Sequence, residues 1–194
     1  MRLPEIERGD GLANRLLIRF ISMVSGMRLP DAARVAFYHK DFFGAAMGGW
    51  TQAAMRGPSS WSVADRELMA CMVAKWNACA FCVGAHGVVA AKAMQRTEVD
   101  QAISDFRTAP IPGPLKAALA FLEVMTLRPA DLNAGHARAA LDAGLSRKAL
   151  TDAIAVAALF GIITRYADAL DFAMPTPAEF ERAASMLLKR GYAS

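Results

Sequence analysis

The chain has 194 residues, of which 55% are hydrophobic and 21% are charged, and its formal net charge is +4. This composition excludes a disordered chain, and 14 Gly and 9 Pro residues are too few for a collagen-like or low-complexity protein. A chain of this length buries enough surface to fold without a disulfide or a metal, and because it contains no run of five basic residues we expect no nucleic-acid partner.

The N-terminal part of the chain combines polar, helical and glycine-rich segments. Residues 1–10 are polar and are expected to form a flexible N-terminus. An amphipathic helix is predicted over 11–25, and a second helix begins at Asp31, after Pro30, and carries aromatic residues as far as Phe43. Glycine is expected to weaken or interrupt this second helix at three positions, Gly44, Gly48 and Gly49.

The middle of the chain contains clear signals for helix starts. Ser62 is followed three residues later by Asp65, which is close to a capping box and predicts a helix over 63–77. A new helix is predicted over 79–94, and a short one follows over 97–106. The next segment is a rigid connector with three prolines, Pro110, Pro112 and Pro114.

The C-terminal half is also predicted to be helical, and nothing in the whole sequence predicts a strand. The segment from Thr176 to Glu179 forms a full capping box with Pro177 at the first helical position. Four helices are predicted here, over 115–127, 132–143, 147–172 and 177–189.

These elements predict an all-α protein with a single domain over 11–194. We place one half, which contains the Cys-x-x-Cys motif, at about 58–108 and a second half at about 112–190. The helix starts at 61–68 and 145–150 are similar in sequence, which is compatible with an internally duplicated helical unit.

The apolar residues do not form an uninterrupted membrane span. The best candidate, 149–163, is broken by Thr151 and Asp152, and the N-terminus has no signal-peptide core, so we expect a cytoplasmic protein with no membrane partner. Helices that are apolar on nearly all sides must be buried somewhere, which predicts a homo-oligomer.

Three cysteines, Cys71, Cys79 and Cys82, are the first candidates for chemistry. An odd number of cysteines without a signal peptide argues against a secreted disulfide framework. A helix that begins at Cys79 places the Cys79 and Cys82 thiols in or near its first turn, where backbone N–H groups and the helix dipole favour a thiolate.

Two further residues are placed to assist these thiols. His86 follows Cys82 by four residues, so both lie on the same face of a helix, and an imidazole there can exchange a proton with the sulfur. Glu67, in the apolar part of the preceding helix, is our candidate for the group that orients His86.

The residues alone leave three interpretations open. Cys79 and Cys82 form a redox pair, or they bind zinc together with His86 and Glu67, or they are inert thiols of the core. Cys71 is predicted to be a small buried residue. Arg165 and Asp168, three residues apart, predict an ion pair on a helix surface.

The pattern Glu67-x11-Cys79-x2-Cys82-x3-His86 resembles the signature of the alkylhydroperoxidase D (AhpD) and carboxymuconolactone decarboxylase superfamily. The context Trp-Asn-Ala-Cys-Ala-Phe-Cys, at 76–82, is similar to its peroxidase-related branch. The resemblance covers about 15–185. It implies an all-α oligomer, commonly a trimer, hexamer or dimer, and we expect no cofactor.

The resemblance also implies a function, a thiol-dependent peroxidase that reduces organic hydroperoxides or hydrogen peroxide in antioxidant defence. Cys82 would be the peroxidatic thiolate, activated through His86 and Glu67 with a bound water. Cys79 would be the resolving thiol, and a dithiol or thioredoxin-like partner would reduce the disulfide. Some family members have a further histidine where this chain has Phe81. The alternatives are a redox sensor without turnover and a zinc-binding helical module.

Overall fold

The computed structural model describes residues 1–38 and 44–192, and in this part of the chain every regular element is a helix. The prediction of an all-α protein is therefore confirmed. The elements are α1 (Pro4–Arg8), α2 (Leu12–Ser25), α3 (Asp31–Tyr38), α4 (Ala45–Arg56), α5 (Val63–Trp76), α6 (Ala80–Ala93), α7 (Arg96–Asp105), α8 (Gly113–Leu127), a 3-10 turn (Pro129–Asp131), α9 (Ala134–Asp142), α10 (Arg147–Leu170) and α11 (Pro177–Arg190).

Two of these helices differ from the sequence predictions. The segment predicted to be flexible contains α1, whose Ile6 is buried and which packs against α3. The predicted interruption at Gly48 and Gly49 is wrong, because both glycines lie inside α4. A glycine costs a helix about 1 kcal/mol, and the packing of Met47 and Met55 in the core offsets this cost. The last part of the second predicted helix, residues 39–43 with Phe42 and Phe43, lies outside the described residues.

The hairpin of α5 and α6 forms the centre of the fold. α5 is buried on nearly all sides, between α6, α8 and α10, which is why its sequence shows no amphipathic period. The predicted cap is present, since the Ser62 side chain accepts a hydrogen bond from the Asp65 backbone and Asp65 Oδ2 accepts one from Ser62 N. Because α5 is the most buried helix, a carboxylate on it must be satisfied by protein groups.

A tight turn joins α5 to α6 and fixes the start of α6 at Cys79. The backbone N–H of Cys79 donates to the Ala74 carbonyl, and that of Ala78 donates to the Lys75 carbonyl, which together form a Schellman motif. Ala78 occupies the left-handed position of this motif, with φ of 58°, where glycine is usual. Asn77 ties the turn to α10 by donating to Thr164 Oγ1 at 3.0 Å.

α10 is the one described helix that is long and apolar enough to cross a membrane by length and composition alone. It packs against α4, α5, α8 and α9, and its Leu159 and Phe160 are fully buried. Its first turn lies beside the start of α5, because Trp61 Nε1 donates to the Ala149 carbonyl at 2.7 Å. The two helix starts that are similar in sequence are therefore neighbours in space.

Candidate active site

A single carboxylate, Glu67 of α5, lies at the centre of the site, and its side chain has no exposed surface. It accepts hydrogen bonds from Arg56 Nη2 at 2.7 Å, from the Tyr192 hydroxyl at 2.9 Å and from His86 Nδ1 at 2.7 Å. Burial by itself raises the pKa of Glu67, but the hydrogen bond and charge of His86 and those of Arg56 outweigh burial and hold this pKa below its ordinary value. Glu67 is therefore ionised at neutral pH.

The ionised carboxylate determines the orientation of His86. An ionised carboxylate can only accept hydrogen bonds, so His86 Nδ1 carries the proton that it shares with Glu67. Arg56 Nη2 pairs with the other carboxylate oxygen of Glu67 at 2.7 Å, so the charge of Glu67 is shared between two partners. In the neutral tautomer, Nε2 keeps its lone pair and is able to accept a proton. The edge of the ring packs against Phe160, with 4.5 Å between centroids.

The C-terminal segment brings Tyr192 to this carboxylate. Gly191 has a φ of +72°, and a Cβ at this position would lie 2.5 Å from Gln52 Oε1, so only glycine fits the turn. Tyr192 N donates to the same Gln52 oxygen at 2.7 Å. Burial, and then the Glu67 charge, raise the pKa of the Tyr192 hydroxyl well above its ordinary value, so it remains a hydrogen-bond donor. The Arg56 guanidinium lies 4.8 Å from the centroid of the Tyr192 ring.

The two thiols lie at the start of α6, as the sequence predicted. Cys79 is the N-cap residue and Cys82 is in the first turn, and both are buried and reduced. The pKa of the Cys79 thiol is lowered, first by the hydrogen bond from the Cys82 thiol, against the opposing effect of burial. The pKa of Cys82 is raised, first by this hydrogen bond to Cys79 and then by burial. The pair titrates as a unit, and its first negative charge is favoured on Cys79.

Asp168 of α10 is a further group beside the thiols. The predicted ion pair of Arg165 with Asp168 is wrong: among the described residues Arg165 makes no ion pair with Asp168 and donates instead to the Gly161 carbonyl of its own helix. The Asp168 carboxylate lies beside both thiols, and its negative charge opposes a thiolate: it partly offsets the lowering of the Cys79 pKa and adds to the raising of the Cys82 pKa.

Replacement of Asp168 by asparagine is expected to make the thiol pair more reactive at neutral pH. The change removes the negative charge that opposes the thiolate, so alkylation by iodoacetamide at pH 7 should be about two- to tenfold faster. Rates measured between pH 5 and pH 9 check this, with Asp171→Asn at the end of the same helix as the matched control. Equal rates for wild type and Asp168→Asn would show that Asp168 does not influence the thiols.

Cys71 lies on the neighbouring helix α5, and its buried surroundings indicate a structural rather than a reactive thiol. Its sulfur lies 3.7 Å from the Val83 carbonyl oxygen, and burial raises the pKa of its thiol to about 12, with a further contribution from the Glu67 charge. This agrees with the prediction of a small buried residue. Within 1–38 and 44–192, no three His, Cys, Asp or Glu side chains converge to hold a metal, so the zinc alternative lacks its ligand cluster.

Aromatic side chains surround the thiol end of α6. Phe81 packs edge-to-face against Phe172 at 5.2 Å between centroids and in a tilted arrangement against Phe180 at 6.2 Å. Gly84 allows this close approach of α11, since a Cβ there would lie 2.8 Å from the Phe180 ring. Cys82 therefore lies on a helix that packs against a cluster of aromatic side chains.

No protein-family model and no curated protein matches the chain, but solved structures do. An uncharacterized peroxidase-related protein from Silicibacter sp. TM1040 is 21% identical, with a TM-score of 0.74 over 91% of each chain. An AhpD-core, uncharacterized peroxidase-related protein from Ralstonia eutropha JMP134 is 23% identical, with a TM-score of 0.74 over 93% of this chain and 94% of that chain. The debrominase Bmp8 is 20% identical, with a TM-score of 0.70 over 91% and 94%.

The chain has the fold of the AhpD core. This confirms the predicted resemblance at the level of the fold. The AhpD-like fold brings Glu67 and His86 together, as the sequence predicted, and places Cys82 one helical turn, and Cys79 two turns, before His86. Within the described ranges no direct hydrogen bond joins His86 to either sulfur.

Sequence reasoning missed two further contacts with Glu67. Arg56 is 11 residues from Glu67 and Tyr192 is 125 residues away. Arg56 carried a weak signal, as an arginine at the end of an apolar helix directly before Gly-Pro. Tyr192 carried none, because no local spacing or periodicity links it to Glu67, 125 residues earlier.

Proposed function

We propose that the protein is a thiol-dependent peroxidase that reduces organic hydroperoxides or hydrogen peroxide with the Cys79–Cys82 pair. The observation that carries the proposal is the buried Glu67–His86 hydrogen bond of 2.7 Å, on the helix whose N-terminus carries two reduced thiols, with Cys82 one turn before His86. A neutral imidazole held by a carboxylate is the usual arrangement of a general base beside a nucleophile.

The proposed reaction has two steps in the protein and one with a reductant. The Cys82 thiolate attacks the terminal peroxide oxygen, the O–O bond breaks, and the departing alkoxide takes a proton to become an alcohol. The resulting sulfenic acid reacts with the Cys79 thiol to form a disulfide and release water. A small dithiol or a thioredoxin-like partner then reduces this disulfide by exchange and is itself oxidised.

His86 moves the proton in the first step. Its Nε2 accepts the thiol proton through a bound water and returns it to the alkoxide, while Glu67 keeps Nδ1 protonated. Arg56 and Tyr192 support this function by holding the carboxylate in place, and they do not contact the reacting atoms. The reaction requires a reducing compartment, which agrees with the proposed cytoplasmic location.

The assignment of the attacking thiol rests on the resemblance, and the ground-state electrostatics favour the opposite order. The hydrogen bond from Cys82 favours the first charge on Cys79, so attack by Cys82 requires transfer of its own proton, a transfer that this proposal gives to His86. The two orders predict different trapped intermediates, which single-cysteine variants distinguish.

The decisive experiment is steady-state consumption of cumene hydroperoxide and of hydrogen peroxide with dithiothreitol as the reductant. The matched control is the variant in which Cys79 and Cys82 are both replaced by serine. Turnover in the wild type that is lost in the control supports the proposal. Formation of one disulfide per chain without turnover would instead indicate a redox sensor.

The same assay should include a brominated pyrrole as a second substrate that accepts electrons from the thiols. A solved structure of a Bmp8 debrominase variant contains 2,3,4-tribromopyrrole, and its fold matches this chain with a TM-score of 0.70. A dithiol can replace C–Br by C–H with release of bromide and a proton and formation of a disulfide. Bromide release from tribromopyrrole, with no consumption of hydroperoxide, would favour a dehalogenase over a peroxidase.

A further inference from the structure

A cavity of about 440 Å³ lies between the first three helices, and none of its lining residues belongs to the thiol site. A cavity of this size falls within the ~300–1,000 Å³ that is usual for small-molecule sites. We call it the arginine cavity, because four of its lining residues are arginines. The lining consists of Glu7, Arg8, Arg15, Ile18, Arg19, Ser22 and Arg34.

Two hydrogen bonds hold one side of α2 toward the other helices of the arginine cavity. The four α2 residues of the lining follow the spacing i, i+3, i+4 and i+7, which places them on the same side of the helix. Arg15 Nε donates to the Gly9 carbonyl at 3.1 Å, at the end of α1. Ser22 Oγ accepts a hydrogen bond from Leu29 N at 3.3 Å, shortly before α3. Since α1 and α3 pack against each other, the three helices enclose the cavity together.

Arg34 is the buried cation of the arginine cavity, with a side chain that is 9% exposed. Its guanidinium donates to the carbonyl oxygens of Leu29, at 2.8 Å, and of Glu7. A carboxylate oxygen of Asp31 is 3.8 Å from Arg34 Nε, but the same oxygen is only 2.6 Å from Arg28 Nη2. Burial first, and then the Arg28 charge, lower the pKa of Arg34 below its ordinary value. Protein groups therefore balance this buried charge only in part.

The other three arginines of the cavity have no carboxylate partner. In the part of the chain that the structure describes, 1–38 and 44–192, no Asp or Glu forms an ion pair with Arg8, Arg15 or Arg19. Glu7 is the one acidic residue of the lining, and its carboxylate lies 4.0 Å from Arg28 Nη2, which offsets its repulsion of an anion. Positive charges that share one concave surface repel one another and raise the local concentration of anions.

We propose that the arginine cavity binds a small soluble molecule that carries a phosphate or diphosphate group, with Arg8, Arg15 and Arg19 as its cationic ligands. A guanidinium donates two parallel hydrogen bonds to phosphate oxygens, which makes arginine the preferred residue for this group. A phosphate group carries about −1.5 to −2 charges at neutral pH and so balances more of the positive charge than one carboxylate does.

Two other residues of the lining suit such a molecule. Ser22 Oγ accepts a backbone hydrogen bond, so its own proton is available to a phosphate oxygen. Ile18 adds an apolar side chain, against which the uncharged part of the molecule can pack. The arginine cavity thus combines several cationic groups, one hydroxyl donor and an apolar contact.

The test is isothermal titration calorimetry of the full chain with inorganic pyrophosphate, at an ionic strength held constant with NaCl. The wild type is expected to bind one pyrophosphate per chain. The cavity variant, with Arg8→Gln and Arg19→Gln, should bind at least ~10-fold more weakly, because it loses charge-assisted hydrogen bonds. Both arginines are exposed, so glutamine should leave the fold intact, which circular dichroism checks.

The matched control is the variant with Arg138→Gln and Arg147→Gln, at two exposed positions of α9 and α10. It removes two positive charges, as the cavity variant does, and should keep the wild-type affinity. Where the cavity variant fails to fold, Arg19→Gln alone is compared with Arg138→Gln. A second readout is the unfolding temperature, which pyrophosphate should raise in the wild type and in the control.

Three results would overturn the proposal. The first is a wild type for which millimolar pyrophosphate produces neither binding heat nor a rise in the unfolding temperature. The second is equal affinity in the wild type, the cavity variant and the control, which would assign binding to net charge alone. The third is binding to phosphatidic acid vesicles without binding of pyrophosphate, which would assign the arginines to a lipid surface. None of these measurements involves the thiols, so their outcome and that of the proposed function are separate.

Discussion

Replacement of Cys82 by serine is expected to abolish hydroperoxide turnover, whereas replacement of Cys79 leaves a protein that reacts once and stops. Serine has no accessible anion at neutral pH, so loss of the attacking thiolate should lower the rate by at least ~10³-fold. Without Cys79 the attack still occurs, but the sulfenic acid has no neighbouring thiol and accumulates on Cys82. Dimedone labelling followed by mass spectrometry locates this intermediate.

The reverse pattern would reassign the two roles. Because the hydrogen bond from Cys82 favours the first charge on Cys79, a dimedone adduct on Cys79 in the Cys82→Ser variant, with none on Cys82 in the Cys79→Ser variant, would make Cys79 the attacking thiol. Cys71→Ala is the matched control, since Cys71 is buried and its thiol has a pKa of about 12. It is expected to keep wild-type turnover, and full turnover in all three variants would exclude a cysteine mechanism.

Local sequence signals predicted most of the helices correctly because these signals act over three or four residues. The caps at Ser62 and Thr176 are both formed with the predicted partners, Asp65 and Glu179. The prediction failed at α4, where tertiary packing overrides the low helix propensity of glycine. It also gave no helix at α1, a five-residue element held by the burial of Ile6 against α3.

The sequence predicted only those residues of the site that lie close to one another along the chain. Cys79, Cys82 and His86 lie within eight residues on one helix, and Glu67 is on the adjacent arm of the same hairpin. Arg56 and Tyr192 reach Glu67 from α4 and from the chain that follows α11, and no periodicity encodes these contacts. The sequence predicted only that Glu67 orients His86; the other two donors that its buried carboxylate requires are seen in the structure alone.

Replacement of Arg56 by methionine is expected to lower the free energy of unfolding by about 3–5 kcal/mol at pH 7, since it leaves the Glu67 charge buried without its cation. Methionine keeps much of the length of the side chain but removes the guanidinium. Tyr192→Phe removes only the hydroxyl hydrogen bond to Glu67 and should cost less, about 1–3 kcal/mol. Urea unfolding followed by circular dichroism gives both values.

The free energy of unfolding that Arg56→Met loses should depend on pH, and this dependence identifies the buried Glu67 charge as the cause. In the wild type the pKa of Glu67 is below its ordinary value of 4.5, so its ionisation stabilises the fold above pH 4.5, and this stability is lost as the pH falls through the lowered pKa. Without Arg56 the pKa of Glu67 rises, because burial is opposed by fewer charges. In Arg56→Met, Glu67 is therefore protonated at a higher pH than in the wild type. The difference in the free energy of unfolding between the variant and the wild type should become smaller as the pH falls from 7 to 4.5.

A double-mutant cycle separates the ion pair from simple loss of packing. Glu67→Gln removes the charge that Arg56 balances. The double variant, with Arg56→Met and Glu67→Gln, should therefore be more stable than the sum of the two single losses predicts, with a coupling free energy of about 2–3 kcal/mol. Additive losses, or a deficit of Arg56→Met that is constant with pH, would show that Arg56 contributes packing alone. The expected coupling would establish that this fold keeps an ionised carboxylate in its most buried helix because a residue from another helix neutralises it.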